Sequence, residues 1–246
     1  MIATIATKEL RALFGSPLAW ITLGVLQGVL AWLFINQVDA FAGLQAQLAL
    51  LANPPGVTEM VAAPLFGAVA TLLLLVTPVL AMRLIAEERR NHTLPLLLSA
   101  PLSLSDIVLG KFLGLWGFLC LIIMLALLMS LSLYAGGQLD IGLLLANLSG
   151  LVLLAACLAA LGLYFSCLTA HPAVAAIGGI GASLGLWLLD IASKDLGAWH
   201  ALSLLWHFER ISRGFLNSAD AAYFLLFTAA FLMLAVRRLD RERVCG

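Results

Sequence analysis

From Ile141 to Leu189 the chain carries no charged side chain, and the same emptiness recurs from Ala12 to Val38 and from Met60 to Met82. About 20 consecutive apolar residues cross ~30 Å of hydrocarbon, so each run can span a membrane and the Ile141–Leu189 run is too long for one helix. Composition agrees. The chain is 63% hydrophobic and 11% charged, where a soluble domain carries about 25% charge, and its mean hydropathy is +1.09. The expected fold is an all-α polytopic membrane protein.

Pro172 divides the long run, because proline ends a helical pattern and drives its neighbour away from the helical region. The expected organisation is a single transmembrane domain over 1–246 with spans at 17–38, 61–83, 112–135, 143–168, 173–190 and 220–237. An interface helix at 1–15 precedes them, a polar loop at 86–110 joins the second span to the third, and 191–218 connects the fifth to the sixth. Pro78 is expected to kink the second span just before the polar loop.

Basic residues near spans favour the cytoplasmic side. With six spans both termini share a side, and that side holds Lys8, Arg11, Arg83, Arg89, Arg90, Lys111, Arg237, Arg238, Arg241 and Arg243. Only Lys194, Arg210 and Arg213 lie opposite. Both termini and the 86–110 loop are therefore expected in the cytoplasm. The first apolar stretch exceeds the 7–15 residues of a signal core and lacks a small-x-small cleavage site, so it reads as a retained span.

The segment MIATIATKELRALF has the pattern of an amphipathic helix lying on the membrane, with Ile2, Ile5, Ala6, Leu10, Leu13 and Phe14 on one face and Thr4, Lys8 and Arg11 opposite. Glu9 falls on the apolar side and needs a basic or polar neighbour. In the polar loop, Thr93 is placed to cap a short helix over Leu94–Leu98, which Pro101 stops. Ser103-Leu104-Ser105-Asp106 has capping-box spacing and opens a helix into the third span. Glu87, Glu88, Arg89 and Arg90 would then form one flank of a docking element.

Several chemistries are excluded. Gly110-Lys111 resembles the end of a phosphate-binding loop, but Ser105 stands at its first glycine position and Phe112 replaces Ser/Thr. There is no GxSxG, HExxH or CxxC, and no paired carboxylates lie inside a span. Cys120, Cys157 and Cys167 fall within spans as small apolar residues, and nothing points to nucleic acid. Trp199 with Trp206, and His200 with His207, share a face at seven-residue spacing; an interfacial helix is expected, since two histidines are too few for a metal site. Gly24/Gly28, Gly110/Gly114 and Gly181/Gly185 have the spacing that lets helices approach closely, within one chain or across a dimer. Gln27, Asn147 and Ser149 are the few polar groups available to a path, which suits lipid-like or amphiphilic cargo.

The run Glu87-Glu88-Arg89-Arg90…Thr93-Leu94…Leu97-Leu98-Ser99-Ala100-Pro101-Leu102-Ser103…Ile107-Val108-Leu109-Gly110-Lys111 resembles the loop after the second helix in permeases of type-2 ATP-binding-cassette (ABC) exporters. Lys8-Glu9-Leu10-Arg11 resembles their N-terminal connecting helix. Leu202–Glu209, Ser212-Arg213-Gly214 and Tyr223 are similar to the gliding-motility permease branch and, more distantly, to the permease linked to nitrous-oxide reductase maturation. His92 departs from the pattern, which has glycine or a small residue before the threonine. The resemblance implies a permease without catalysis of its own, in the bacterial inner membrane. It would pair with a second copy or a related permease and bind two cytoplasmic ABC ATPases, which hold the ATP and Mg²⁺. Coupling would fall to Glu87, Glu88, Arg89, Arg90, Thr93, Leu94, Leu97, Leu98 and Pro101, helped by Lys8, Glu9 and Arg11 of the connecting helix. A membrane-embedded lipid-modifying enzyme and a non-transporting scaffold that recruits an ATPase are the alternatives.

Overall fold

The computed structural model describes residues 1–48, 50, 55–93, 103–135, 139–192, 203–214 and 217–245. Among the described residues there are eight helices and no strand. In chain order they are α1 (Ile2–Phe14), α2 (Pro17–Leu48), α3 (Thr58–Arg90), α4 (Leu104–Ser132), α5 (Ile141–Leu168), α6 (Pro172–Ala192), α7 (Leu204–Ser212) and α8 (Ser218–Cys245).

Local chemistry sets the ends. Pro17 and Pro172 begin helices, where the missing N–H costs nothing. Ser103, Asp140 and Ser203 cap α4, α5 and α7 by accepting from the N–H of Asp106, Leu143 and Trp206. The break between α5 and α6 falls at 169–171. Helix α2 runs on to Leu48, past the expected end at 38, because the segment after Asp39 is rich in Ala, Leu and Gln and holds no proline, its single Gly43 being outweighed by these helix formers.

Five helices are long and apolar enough to cross a membrane: Pro17–Gln47, Thr58–Arg90, Leu104–Ser132, Ile141–Leu168 and Ser218–Arg243. A further apolar stretch, Pro172–Leu188, is shorter. Helix α5 is the axis of the bundle, packing against α3, α4, α6, α7 and α8. Two thirds (67%) of its most apolar stretch is buried, against 17% in α2 and in α8. The last two leave large apolar side chains such as Trp20, Trp32, Leu226 and Met233 on the outside.

Pro78 is buried inside α3 and sits against two glycines. A Cβ on Gly179 of α6 would lie 2.9 Å from the Pro78 Cβ, and one on Gly162 of α5 would lie 2.6 Å from the Ala81 Cβ. Helix α3 also changes pitch twice, in π-helical turns at Thr58–Ala62 and Arg83–Glu87. The second turn follows Pro78 and leads into the charged residues Glu87–Arg90.

Candidate functional site

The sequence expectation set Glu87–Arg90 on one flank of a loop. They lie instead on the last turns of α3, which continues through them to Arg90. The π-helical turn before them takes partners from outside the helix. The buried Ser166 hydroxyl of α5 accepts from the N–H of Ile85 (3.1 Å) and Ala86 (3.0 Å) and donates to the Met82 carbonyl (3.1 Å). Such π-bulges recur at functional sites because they re-aim side chains.

Beyond Ser166, three of the four charged residues are tied to a partner. Arg89 donates to both carboxylate oxygens of Glu242 on α8 (2.7 Å each) and to the Cys167 carbonyl at the end of α5 (2.9 Å). Glu88 accepts from Lys111 of α4 at 2.7 Å. Glu87 faces Arg83 one turn back at 3.7 Å, and the Arg83 guanidinium donates to Ser16 in the elbow between α1 and α2. Arg90 is exposed, with no partner among the described residues.

Lys111, which the sequence placed at the edge of a solvated loop, is 1% exposed. It can be buried because two carboxylates hold it. Besides Glu88 it donates to Glu9 of α1 at 2.9 Å, so Glu9 has the basic neighbour its position demands. Charge this deep in a protein persists only when paired. One ammonium facing two carboxylates leaves the cluster short of positive charge, and Glu88 Oε2 is buried with no hydrogen-bond partner among the described residues.

Helix α1 reaches this position through glycine. A Cβ at Gly110 would come within 2.6 Å of the Ile5 side chain, and one at Gly114 within 2.7 Å of the Glu9 Cβ. The apolar face of α1 is therefore packed on α4, not only laid on lipid, while Lys8 and Arg11 stay exposed without described partners. Phe14 ends the helix edge-on to Phe118 of α4, and its carbonyl accepts from the Trp20 indole at 2.7 Å. The other two glycine pairs, Gly24/Gly28 and Gly181/Gly185, meet nothing within 4 Å. A cavity of about 230 Å³ opens beside the cluster, between Glu9 and Leu13 of α1, Ser16, and Arg83 and Glu87 of α3.

Thr93 closes the end of α3. Its N–H and hydroxyl both donate to the Glu88 carbonyl (2.9 and 3.1 Å), and the His92 N–H donates to Arg89 O (3.2 Å). This is a Schellman end, whose penultimate residue must be left-handed. His92 is that residue, at φ +55°, which explains why glycine suits the position. Leu94, Leu97, Leu98 and Pro101 lie outside the described residues, as does the helix expected over Leu94–Leu98.

At the opposite end of the bundle the sequence reading missed a second polar group. His207 of α7 is buried, stacked on Tyr223 at 4.2 Å, with Nδ1 2.6 Å from an Asp220 oxygen; Arg210 lies 3.5 Å from the same oxygen. Asp220 looked like a charge at the start of the last span, whereas it is fully buried at the foot of α8. The Leu202–Gly214 motif with Tyr223 was the available signal. Trp199 and His200 lie outside the described residues, so their pairing with Trp206 and His207 is not part of this geometry. Among the described residues no group of three metal-ligating side chains occurs. Next to α7 an open cleft of about 560 Å³ is edged by Glu59, Asp140, Glu209 and Arg213.

No curated protein matches the sequence. The profile of the family described as "ABC-2 family transporter protein" matches residues 3–196, which take in Glu9, Glu87–Arg90 and Lys111 and the helices up to α6 but not Glu242. That match covers most of the chain, and the chain therefore belongs to the ABC-2 transporter family, as a permease component of an ABC transporter.

Proposed function

We propose that this chain is the membrane half of an exporter, most like the gliding-motility permeases, crossing the bacterial inner membrane six times with both termini in the cytoplasm. It pairs with a second copy or a related permease, and each pair binds two ATPase subunits that hold the ATP and Mg²⁺. The segment 86–110 seats on the ATPase, with α1 beside it. The observation that carries this reading is buried Lys111, held at once by Glu9 of α1 and Glu88 of α3. Helices α1, α3 and α4 thus share one ionic joint at the base of the loop. A displacement at that loop moves all three, and Arg89 passes it on to α5 and α8 through Cys167 and Glu242.

Glu88 is occupied inside the bundle, so the outward contacts fall to Glu87, Arg90 and the residues after Thr93. Interface charges of this kind set register and partner choice more than affinity. Co-expression with a candidate ABC ATPase supplies the test. Glu87→Lys and Arg90→Glu should each lower ATPase recovery with the purified permease while membrane insertion is unchanged. Undiminished recovery in both removes the docking role. Reconstituted vesicles then separate an exporter from a scaffold: ATP turnover without cargo movement favours the scaffold. A cysteine at His92 labelled only from the periplasm would overturn the orientation.

A further inference from the structure

The last turns of α8 meet the first turns of α4 in a groove that the coupling reading does not use. It has a volume of about 330 Å³ and nearly all-apolar walls, formed by Val108 and Leu109 of α4 and by Leu232, Met233 and Val236 of α8. Arg237 lines its rim. Arg237 is exposed and has no partner among the described residues.

Charge around the rim does not balance. Near the end of α8, Glu242 is taken by Arg89 and faces Arg238 at 3.7 Å. That leaves Arg237, Arg241 and Arg243 against Asp240 on α8 and Asp106 on α4. Asp106, at the start of α4, is engaged with the Ser103 hydroxyl in the helix cap. Arg237 and Arg241 lie one turn apart, on the same side of α8.

Position decides the occupant. Helix α8 is apolar and largely uncovered up to Arg237, so the groove opens sideways at the level where hydrocarbon gives way to headgroups. An apolar slot at that depth fills with an acyl chain, and guanidinium groups at its rim select a phosphate. We propose that the α4/α8 groove is a binding site for an anionic phospholipid, with an acyl chain along Leu109, Met233 and Val236 and the headgroup phosphate on Arg237 and Arg241. The site rests on α8 being a membrane span and is independent of how the ATPase docks.

Native mass spectrometry of the full chain in neutral detergent tests it, with dioleoyl phosphatidylglycerol and dioleoyl phosphatidylcholine added in turn. The wild-type chain should retain the anionic lipid in preference. Arg237→Gln should lower that preference about fivefold, the effect of one arginine near a membrane surface. Arg237→Lys should restore most of it, and Arg243→Gln, on another face of α8, should change it little. Met233→Trp, which fills the slot, should weaken retention of both lipids. Equal retention of the two lipids by the wild-type chain would overturn the proposal. So would a loss with Arg243→Gln matching that with Arg237→Gln, which would mean general attraction to a basic tail. Displacement of the lipid by glycerol phosphate, with Met233→Trp having no effect, would mean a free-phosphate site and would also overturn it.

Discussion

The two ends of the bundle hold their charges differently. At the basic end, polar contacts join elements far apart in the chain: Glu9 to Lys111 across 102 positions, and Arg89 to Glu242 across 153. At the other end the buried pair His207–Asp220 spans 13 positions between α7 and α8, and the longer ties are neutral: Thr58 accepts from the Asp140 N–H and the Asn147 amide donates to the Ser212 carbonyl. Beside it lies the open cleft edged by Glu59, Asp140 and Glu209. A cross-braced end transmits a push, because α1, α3 and α4 cannot shift apart without breaking the ion pairs of Lys111, nor α3 and α8 without breaking Arg89–Glu242. An end held by one local ion pair and neutral hydrogen bonds can rearrange more piecemeal.

Removing Lys111 tests this contrast most severely. Lys111→Met leaves Glu9 and Glu88 facing each other in a buried site, and breaking a buried ion pair from one side costs about 3–5 kcal/mol. Thermal unfolding in detergent should show the largest loss here, and hydrogen exchange should show α1 opening along with the end of α3. Asp220→Asn, the counterpart at the other end, removes the charge facing His207 and Arg210. It should cost about 1.5–3 kcal/mol, the range for hydrogen bonds to charged groups, with faster exchange confined to α7 and the start of α8. Equal losses, or exchange spreading across the bundle from Asp220→Asn, would abolish the distinction drawn here.

Ser166→Ala sharpens the comparison within the basic end. It withdraws the acceptor of two backbone N–H groups in the π-helical turn without touching any charge. Leaving a buried donor unsatisfied costs about 1–3 kcal/mol. If α3 transmits motion through this turn, coupled ATPase stimulation should fall more than stability alone accounts for. A stability loss with coupling intact would reduce Ser166 to a packing role.

Much of this architecture was legible before any coordinates. Charge-free runs, proline at 172 and the capping box opening at Ser103 are local signals, and helices obey them. Glu9 announced its need for a cation because a carboxylate on an apolar face is anomalous within its own helix. Its partner was not legible, because Lys111 sits in a local sequence typical of a span boundary and only tertiary packing brings the two together. Ser166 was hidden for the same reason: within α5 it is one small residue among many, and its role is set by a pitch change in another helix. The burial of Asp220 was not legible, because hydropathy marks where charge occurs but not whether a neighbouring helix covers it.

The smallest expected effect concerns the turn where α3 gives way to the loop. His92 holds φ +55°, a conformation that costs an L-residue about 1–2 kcal/mol. Glycine removes that strain but loses about 0.5–1 kcal/mol through the greater freedom of its unfolded chain. His92→Gly should therefore stabilise the protein by about 0–1.5 kcal/mol, visible as a slightly higher midpoint in detergent unfolding. The imidazole is exposed, so no packing is lost to offset the gain. Since Thr93 and His92 close α3 on the carbonyls of Glu88 and Arg89, the tighter end should also slow amide exchange at those two N–H groups. A destabilised His92→Gly variant would mean that the imidazole contributes a contact beyond the turn. The cross-braced end of the bundle would then extend further along the chain than its buried ion pairs.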